Sequence, residues 1–241
     1  MNVEKFKNKY PVIYRVLRDF KSFIRFLVSP DSSAMVKQNV QAARKEVESL
    51  MEIAYPRLDI GAGSRGVDKS ITMDINYSPG INLLGDVHQL PFKKESFGFV
   101  WLGGVLEHFE KPFEAVAEVF DVMKRGGYVY VEMPFFQRVH AAPHDYQRFT
   151  LDGIESLFRG KGFQTVKSGL IAGPSSACSH VLRTYLSLLF SFNSEKIFHV
   201  LYYYFWGWVL LPLKYFDVFL IKYKLAYLIP FGIYYLGQKK S

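Results

Sequence analysis

A glycine-rich turn between two short apolar segments constrains the fold of this chain more than any other stretch. The first segment, residues 57–60, runs into the turn at residues 61–63, and the second closes on Asp74 and Ile75. Glycines at such a turn allow positive φ and let a ligand approach backbone N–H groups without a Cβ in the way. A carboxylate at the end of the following strand can accept hydrogen bonds from two ribose hydroxyls. The pattern therefore predicts a nucleoside site.

The spacing between the turn and the acid indicates which nucleoside ligand fits. Gly61, Gly63 and Gly66 satisfy the literal dinucleotide fingerprint, in which a helix follows the turn and the acid comes roughly 20 residues later. Here Asp74 follows too soon for a helix and a strand to lie in between. A pyrophosphate would lose the favourable field of a helix N-terminus. The spacing therefore favours a ligand without phosphates.

The composition narrows the possible partners and the redox compartment. The chain has 241 residues, a net charge of +8 and an aromatic fraction of 17%. A basic balance suits an anionic membrane surface, a nucleic acid or an acidic substrate, and charge alone does not choose among them. Cys178, the single cysteine, excludes an intramolecular disulfide and any cysteine metal cluster, and it is compatible with a reducing cytosol.

Alternating strand and helix patterns in the middle of the chain predict an α/β fold. We expect a Rossmann-like, doubly wound, mostly parallel sheet over residues 54–172, preceded by a helical region at residues 1–53. Residues 10–28 predict a basic amphipathic helix, which either lies in a lipid interface or covers the core of the domain. Residues 34–51 predict a second, polar helix.

The last part of the chain, residues 173–241, is predicted to be helical, rich in aromatic residues and membrane-associating. Residues 197–213 contain no Asp, Glu, Lys or Arg, and a second apolar run covers residues 225–237. The first run is short for a membrane span, and its tyrosines and tryptophans prefer the head-group level. We therefore predict a monotopic or hairpin-like attachment. A true span, or aromatic helices that close the substrate side of the domain, are the alternatives.

Five short motifs follow one another in a fixed order between residues 54 and 170. They are Leu58-Asp59-Ile60-Gly61-Ala62-Gly63, then Asp74, then Gly85-Asp86 with Leu90-Pro91-Phe92, then Val105-Leu106-Glu107-His108, and finally Lys124-Arg125-Gly126-Gly127. In this order and spacing they resemble the class I S-adenosylmethionine-dependent methyltransferases of the type 11 kind. The resemblance implies a Rossmann-like fold and S-adenosyl-L-methionine as the cofactor. The missing helix after the glycine turn departs from the family, and it suits a sulfonium ligand that carries no phosphate.

The resemblance also implies which residues bind the cofactor. Asp59 and the glycine turn would face its methionine end, and Asp74 its ribose hydroxyls. The adenine ring would lie near Asp86, and Gly103 at the end of the fourth strand would line the methyl-transfer cleft. The cofactor-binding residues implied in this way are Asp59, Gly61, Ala62, Gly63, Asp74, Ile75, Asp86, Val87 and Gly103.

The loops after the fourth and fifth strands carry the acid–base candidates, because open α/β sheets place their ligands outside the carboxyl ends of the strands. His144 is predicted to act as a base or to orient the acceptor, and Asp145 to fix its tautomer or to cap the next helix. His108 is a further catalytic candidate. The predicted substrate-binding residues are Glu107, His140 and Arg148. An arginine there would bind an acidic acceptor or a phosphate.

Plainer structural roles remain open for the same residues. Glu107 would bond loop amides, while Asp145 and Thr150 would cap a helix over residues 151–158, leaving His144 as an ordinary loop residue. We predict no bound metal, although a site built from histidines and a carboxylate is an alternative.

These observations predict an S-adenosylmethionine-dependent methyltransferase that acts at a membrane surface on a glycan or lipid-linked acceptor. Residues 143–150 resemble a block found in a subset of these methyltransferases, often beside envelope-glycan genes. We expect a cytoplasmic protein that is peripheral or monotopic on the inner face of the cell membrane. The alternatives are a non-catalytic scaffold of the same fold and an NAD-type oxidoreductase. No nucleic acid partner is expected, because the basic residues at the two ends accompany apolar aromatics.

Overall fold

The computed structural model describes residues 45–64, 66–141 and 143–240. The predicted amphipathic helix at residues 10–28 lies outside these residues, and so does most of the predicted helix at 34–51. Helix α1 is described from residue 45 and ends at residue 53.

A seven-stranded sheet forms the centre of the molecule, in the order β3-β2-β1-β4-β5-β7-β6. The strands are β1 Arg57–Ile60, β2 Ile71–Asp74, β3 Leu83–Leu84, β4 Phe97–Gly103, β5 Met123–Pro134, β6 Phe163–Ala172 and β7 Gly232–Lys239. Neighbours among β1 to β5 are parallel, and β7 runs antiparallel to both β5 and β6. The predicted α/β fold with a mostly parallel, Rossmann-like sheet is therefore confirmed.

The central strands are buried on both faces, which explains why they read as continuous apolar runs. In the pairing of β1 with β4, Leu58 lies opposite Val100 and Ile60 opposite Leu102, and all four side chains are buried. They belong to the larger core. Phe99 points to the other face, into a smaller core that α1 covers.

Two helices cover the face of the larger core. Helix α2, Pro112–Val122, begins with a proline at its first position, where no backbone N–H is required. Helix α3, Leu151–Arg159, is capped by Thr150, whose hydroxyl accepts the backbone N–H of Gly153 at 3.0 Å. The cap role considered for Thr150 is thus confirmed.

Helical segments connect β6 to β7. They are α4 Pro174–Phe190, α5 Glu195–Val200, a π-helical segment Leu201–Phe205, α6 Trp206–Val209, a 3-10 segment Leu211–Phe216, α7 Asp217–Leu220 and a short 3-10 turn Ala226–Leu228. No helix within the described parts of the chain is long and apolar enough to cross a membrane.

The prediction that residues 173–241 are helical throughout is wrong for residues 232–239, because β7 lies inside the sheet. Ile233 and Tyr235 of this strand pack into the larger core, whereas Tyr234 and Leu236 pack into the smaller one. Since both faces are covered, the apolar run shows no alternation, and periodicity alone cannot distinguish such a strand from a buried helix. The division into three domains stays a prediction.

Candidate functional site

A cavity of about 520 Å³ opens at the carboxyl edge of the sheet. Its wall comes from the turn after β1, the end of β2, the segment after β3, and the loops after β4 and β5. Eight of the predicted site residues line it: Gly61, Gly63, Asp74, Ile75, Asp86, Val87, His108 and His144. Parallel α/β sheets bind their ligands at this edge.

The glycine turn is held against the end of β2. The backbone N–H of Gly61 donates to the carbonyl oxygen of Met73 at 2.8 Å, and the carboxylate of Asp74 accepts the N–H of Gly63 at 3.0 Å. Gly61 has a φ of +70°, and a Cβ at that position would lie 2.3 Å from Cγ2 of Val105. Only glycine fits there, so this part of the cavity wall is backbone.

No helix occurs among the described residues of the segment between β1 and β2, as the spacing predicted. Gly63, with a φ of +53°, has nothing within 4 Å of where a Cβ would be. The turn therefore leaves open space above its backbone, next to a carboxylate and without a helix terminus.

The charges on the wall indicate which ligand the cavity suits. The described part of the wall carries the carboxylates of Asp74, Asp86 and Glu110, and it carries no lysine or arginine. A ligand with phosphates would meet only repulsion from these charged side chains, whereas a cationic sulfonium or ammonium group would be attracted. The cavity therefore fits the cofactor that the sequence predicted.

The adenine end of the predicted site lies near Asp86 and Val87. Asp86 accepts the backbone N–H of His88 at 2.9 Å, and its carboxylate lies 2.7 Å from Nδ1 of the His88 ring. The His88 backbone N–H first, and then the His88 ring, lower the pKa of Asp86, so this carboxylate is negatively charged at neutral pH. Val87 is buried, and Ile75 is exposed at the rim.

Three predicted cofactor residues, Asp59, Ala62 and Gly103, do not line the cavity. Asp59 is buried and accepts the backbone N–H of Val67 at 2.7 Å, so it holds the far end of the turn. Burial raises the pKa of Asp59 to about 6. At Gly103 a Cβ would lie 2.3 Å from Nε1 of Trp101, and the neighbouring Gly104, with a φ of +70°, lines the wall in its place.

Other residues of the wall were not predicted. They are chiefly polar and aromatic side chains of the loops after β2, β3 and β5: Asn76, Tyr77, Ser78, His88 and Tyr146. The segment after Asp74 could have been noticed in the sequence, because a polar loop that follows the acid must border the same site. Tyr146 gave no separate signal within its loop.

A polar cluster made of Glu107, His108, His140, Asp145 and Arg148 lies behind His108, at one end of the cavity. The Glu107 side chain is only 1% exposed, and its Oε1 lies 3.7 Å from Nε2 of His108 and 3.7 Å from Nε2 of His140. Burial raises the pKa of Glu107 and lowers that of His140. The two histidine rings meet edge to face, 5.1 Å apart.

Asp145 has different partners from those predicted. Its carboxylate pairs with the guanidinium of Arg148 and accepts the backbone N–H of His140 at 3.0 Å. The hydrogen bond from Arg148 lowers the pKa of Asp145 to about 2. Asp145 therefore neither caps α3 nor is seen to contact the His144 ring, and the expected pairing with His144 is corrected to a pairing with Arg148 and His140. Arg148 is engaged by this contact, which disfavours the predicted role in binding an acidic acceptor.

His144 lies exposed on the cavity wall. Its backbone carbonyl accepts a hydrogen bond from Nδ1 of His108, and its ring lies 5.5 Å from that of Tyr146. The cavity wall thus contains His108 and His144, whereas Glu107, His140, Asp145 and Arg148 lie behind it. Which of these residues act in chemistry stays a prediction.

Comparisons with known proteins agree with the fold described above. The profile of the family described as "Methyltransferase domain" matches residues 58–131. This stretch contains the glycine turn, Asp74, Asp86 and the Glu107-His108 pair. No curated protein matches the chain.

Solved structures of methyltransferases share the fold. A SAM-dependent methyltransferase from Thermotoga maritima has a TM-score of 0.54 at 17% identity, with 94% of this chain and 97% of that chain covered. A methyltransferase from Galdieria sulphuraria has a TM-score of 0.53 at 15% identity, covering 86% and 87%. A SAM-dependent methyltransferase from Archaeoglobus fulgidus has a TM-score of 0.50 at 17% identity, covering 83% and 93%. Together these matches support the resemblance seen in the sequence, and the solved structures show that the chain shares the fold of S-adenosylmethionine-dependent methyltransferases.

Proposed function

We propose that this chain is an S-adenosylmethionine-dependent methyltransferase that transfers a methyl group at a membrane surface to a glycan or lipid-linked acceptor, and its domain match and fold support the methyltransferase part. The observation that carries the methyltransferase part is the acidic cavity beside the glycine turn. Its wall offers Asp74 at the end of β2 and no described lysine or arginine.

The residues present fit the cofactor piece by piece. The Asp74 carboxylate would hold the ribose hydroxyls, the open backbone at Gly63 would admit the methionine end, and the apolar side chains of Ile75 and Val87 would flank the adenine ring. When bound, the cofactor supplies the electrophilic methyl group. The task of the protein is then to align the acceptor and to exclude water.

Two histidines on the wall are the residues placed to handle a proton from the acceptor. His144 is exposed with its ring next to Tyr146, and His108 is fixed by the carbonyl of His144. A hydroxyl acceptor needs such a base, whereas a more acidic acceptor needs only to be oriented.

The membrane part of the proposal rests on the helices between β6 and β7. Large aromatic side chains there are exposed to solvent: Tyr185, Phe190, Phe192, Tyr203, Tyr204, Phe205, Trp208, Phe216, Phe219, Tyr223 and Tyr227. Apolar exposure on this scale marks an interaction surface. The cations Lys196, Lys222 and Lys224 are exposed on the same segment. Aromatic and basic side chains together suit an anionic lipid head-group layer, such as the inner face of a cell membrane.

Labelled-methyl transfer tests the proposal. Purified protein is incubated with radiolabelled S-adenosylmethionine and either total membrane lipid and glycolipid extract or soluble extract from the same cells. We expect label in the lipid-linked fraction with the wild type and, at a cofactor concentration below saturation, about 10- to 100-fold less with Asp74→Ala. Label only in the soluble fraction contradicts the membrane acceptor. Binding of S-adenosylhomocysteine without any transfer favours the non-catalytic scaffold.

A further inference from the structure

Three metal-ligating side chains converge beside the cavity. We propose that Glu107, His108 and His140 form a binding site for one divalent transition-metal ion. One ligand atom from each residue lies within 4.8 Å of the other two. Two imidazoles and one carboxylate are a donor set that iron and zinc sites use, and three protein ligands leave coordination positions open for water or a substrate oxygen.

The two histidines are oriented as ligands. Nδ1 of His108 donates to the backbone carbonyl of His144, and Nδ1 of His140 lies 3.4 Å from Oδ2 of Asp145. Both rings thus turn Nδ1 toward an oxygen and Nε2 toward Glu107. In metal sites a hydrogen bond from the second ring nitrogen commonly fixes the tautomer and the ring orientation, as the bond to the His144 carbonyl does for His108. Nδ1 of His140 is buried and makes no hydrogen bond within the described structure, so Asp145 positions His140 through its backbone N–H.

One oxygen of the buried Glu107 carboxylate lacks a hydrogen-bond partner within the described structure. The distance of 3.7 Å from Oε1 to each imidazole is longer than a hydrogen bond, and Oε2 is the buried oxygen without a described partner. Buried charges are usually paired or coordinate metal ions. A cation held between Oε1 of Glu107 and the two Nε2 atoms would pair the charge of this buried carboxylate.

The charges around the cluster do not repel a cation strongly. Asp145 and Arg148 neutralise each other through their two-pronged pairing, so Arg148 adds little net positive charge near Glu107. The basic groups within 4 Å of the Glu107 carboxylate in the described structure are His108 and His140 themselves, which ligate in their neutral forms.

The position of the site also gives it a role. Because His108 lines the cavity, an ion bound there would lie at the cavity wall and would orient an acceptor oxygen while lowering its pKa. With the ion bound, both nitrogens of His108 are engaged, so His144 is the histidine left to accept a proton. That role of the ion rests on the proposed function, whereas metal binding itself does not.

Metal binding to the full-length, chelator-treated protein tests the inference. Cobalt(II) is titrated while its visible absorption is followed, and zinc(II) is titrated by calorimetry. We expect one ion per chain, and a cobalt spectrum of nitrogen and oxygen ligation. His140→Gln and Glu107→Gln should each weaken binding at least tenfold, and Asp145→Asn should weaken it by about tenfold through the orientation of His140. His199→Ala is the matched control, because this exposed histidine lies outside the cluster, and its affinity should equal that of the wild type.

The inference is overturned if the wild type binds neither ion at one per chain, or if His140→Gln binds as tightly as the wild type. His140 lies on a loop and is partly exposed, so this variant keeps the test decisive even if replacement of the buried Glu107 prevents folding. Metal binding is measured without any methyl acceptor. A protein that binds no metal can therefore be told apart from one that transfers no methyl group.

Discussion

The carboxylate of Asp74 accepts the backbone N–H of Gly63 across 3.0 Å, which ties the glycine turn to the end of β2. The same carboxylate accepts the N–H of Asn76 at 2.8 Å. One side chain therefore positions both loops that border the mouth of the cavity, and it presents its charge to the ligand.

Asp74→Ala should weaken the binding of S-adenosylhomocysteine by about 10- to 100-fold, because hydrogen bonds to a charged group contribute about 1.5–3 kcal/mol. Isothermal titration calorimetry measures the affinity, and circular dichroism checks that the fold survives. Asp68→Ala, an exposed carboxylate outside the cavity wall, is the matched control. An unchanged affinity in Asp74→Ala would remove Asp74 from the ribose role.

The two glycines of the turn should respond differently to alanine. Gly61→Ala places a Cβ 2.3 Å from Val105 at a φ of +70°, so we expect a loss of about 2–4 kcal/mol of unfolding free energy. Gly63→Ala meets no atom within 4 Å, and only its positive φ costs about 1 kcal/mol. Denaturant unfolding of both alanine variants measures the difference in unfolding free energy. Equal losses in the two variants would contradict the packing seen at Val105.

The pH dependence of stability should report on Asp59, whose pKa is raised from 3.8 to about 6 in the folded protein. The folded state binds a proton on Asp59 more tightly than the unfolded state. This group therefore favours folding below about pH 4, and its contribution is lost as the pH rises toward 6. At neutral pH the buried charge then costs at most about 3 kcal/mol, at 1.36 kcal/mol per pKa unit.

Asp59→Asn should remove this pH dependence and should stabilise the protein at pH 7, because the amide oxygen can still accept the N–H of Val67. Denaturant unfolding of both proteins between pH 4 and pH 7 measures the effect. If the difference between wild type and variant stays constant across that range, the raised pKa of Asp59 is refuted.

The exposed aromatic side chains should contribute to membrane binding. Trp208→Ala and Phe219→Ala remove side chains that are 45% and 65% exposed, so each should leave the melting temperature nearly unchanged. Burying such a side chain in lipid is worth about 1.5–3 kcal/mol, which predicts roughly tenfold weaker binding to anionic vesicles in flotation assays. Phe113→Ala, 71% exposed on α2, is the control. Equal binding of all three variants to the vesicles would argue against a role of this aromatic surface in membrane binding.

Most of the parallel part of the sheet could be predicted from the sequence because its central strands are continuous apolar runs bounded by glycines. The turn at residues 61–63 and Asp74 lie where local spacing placed them, since both depend on neighbouring residues only. Thr150 was recognisable as a cap for the same reason.

The rest depended on contacts between distant parts of the chain. Nothing in the neighbouring sequence shows which of Gly103 and Gly104 lines the cavity. The side chain of Trp101 decides this, because it fills the space at Gly103. The partners of Asp145 depend on how a long loop folds back on itself, and β7 was hidden because both of its faces are covered. Membrane attachment and the acceptor stay predictions.

The pairing of Ala172 with Gly232 places the end of β6 beside the start of β7. The aromatic helices between them are therefore a long insertion at the tip of a β-hairpin. The chain leaves the sheet and returns to it at almost the same point. A short hairpin turn is long enough to join these two paired ends, so the strand order that holds the cavity does not depend on the length of the helical insertion.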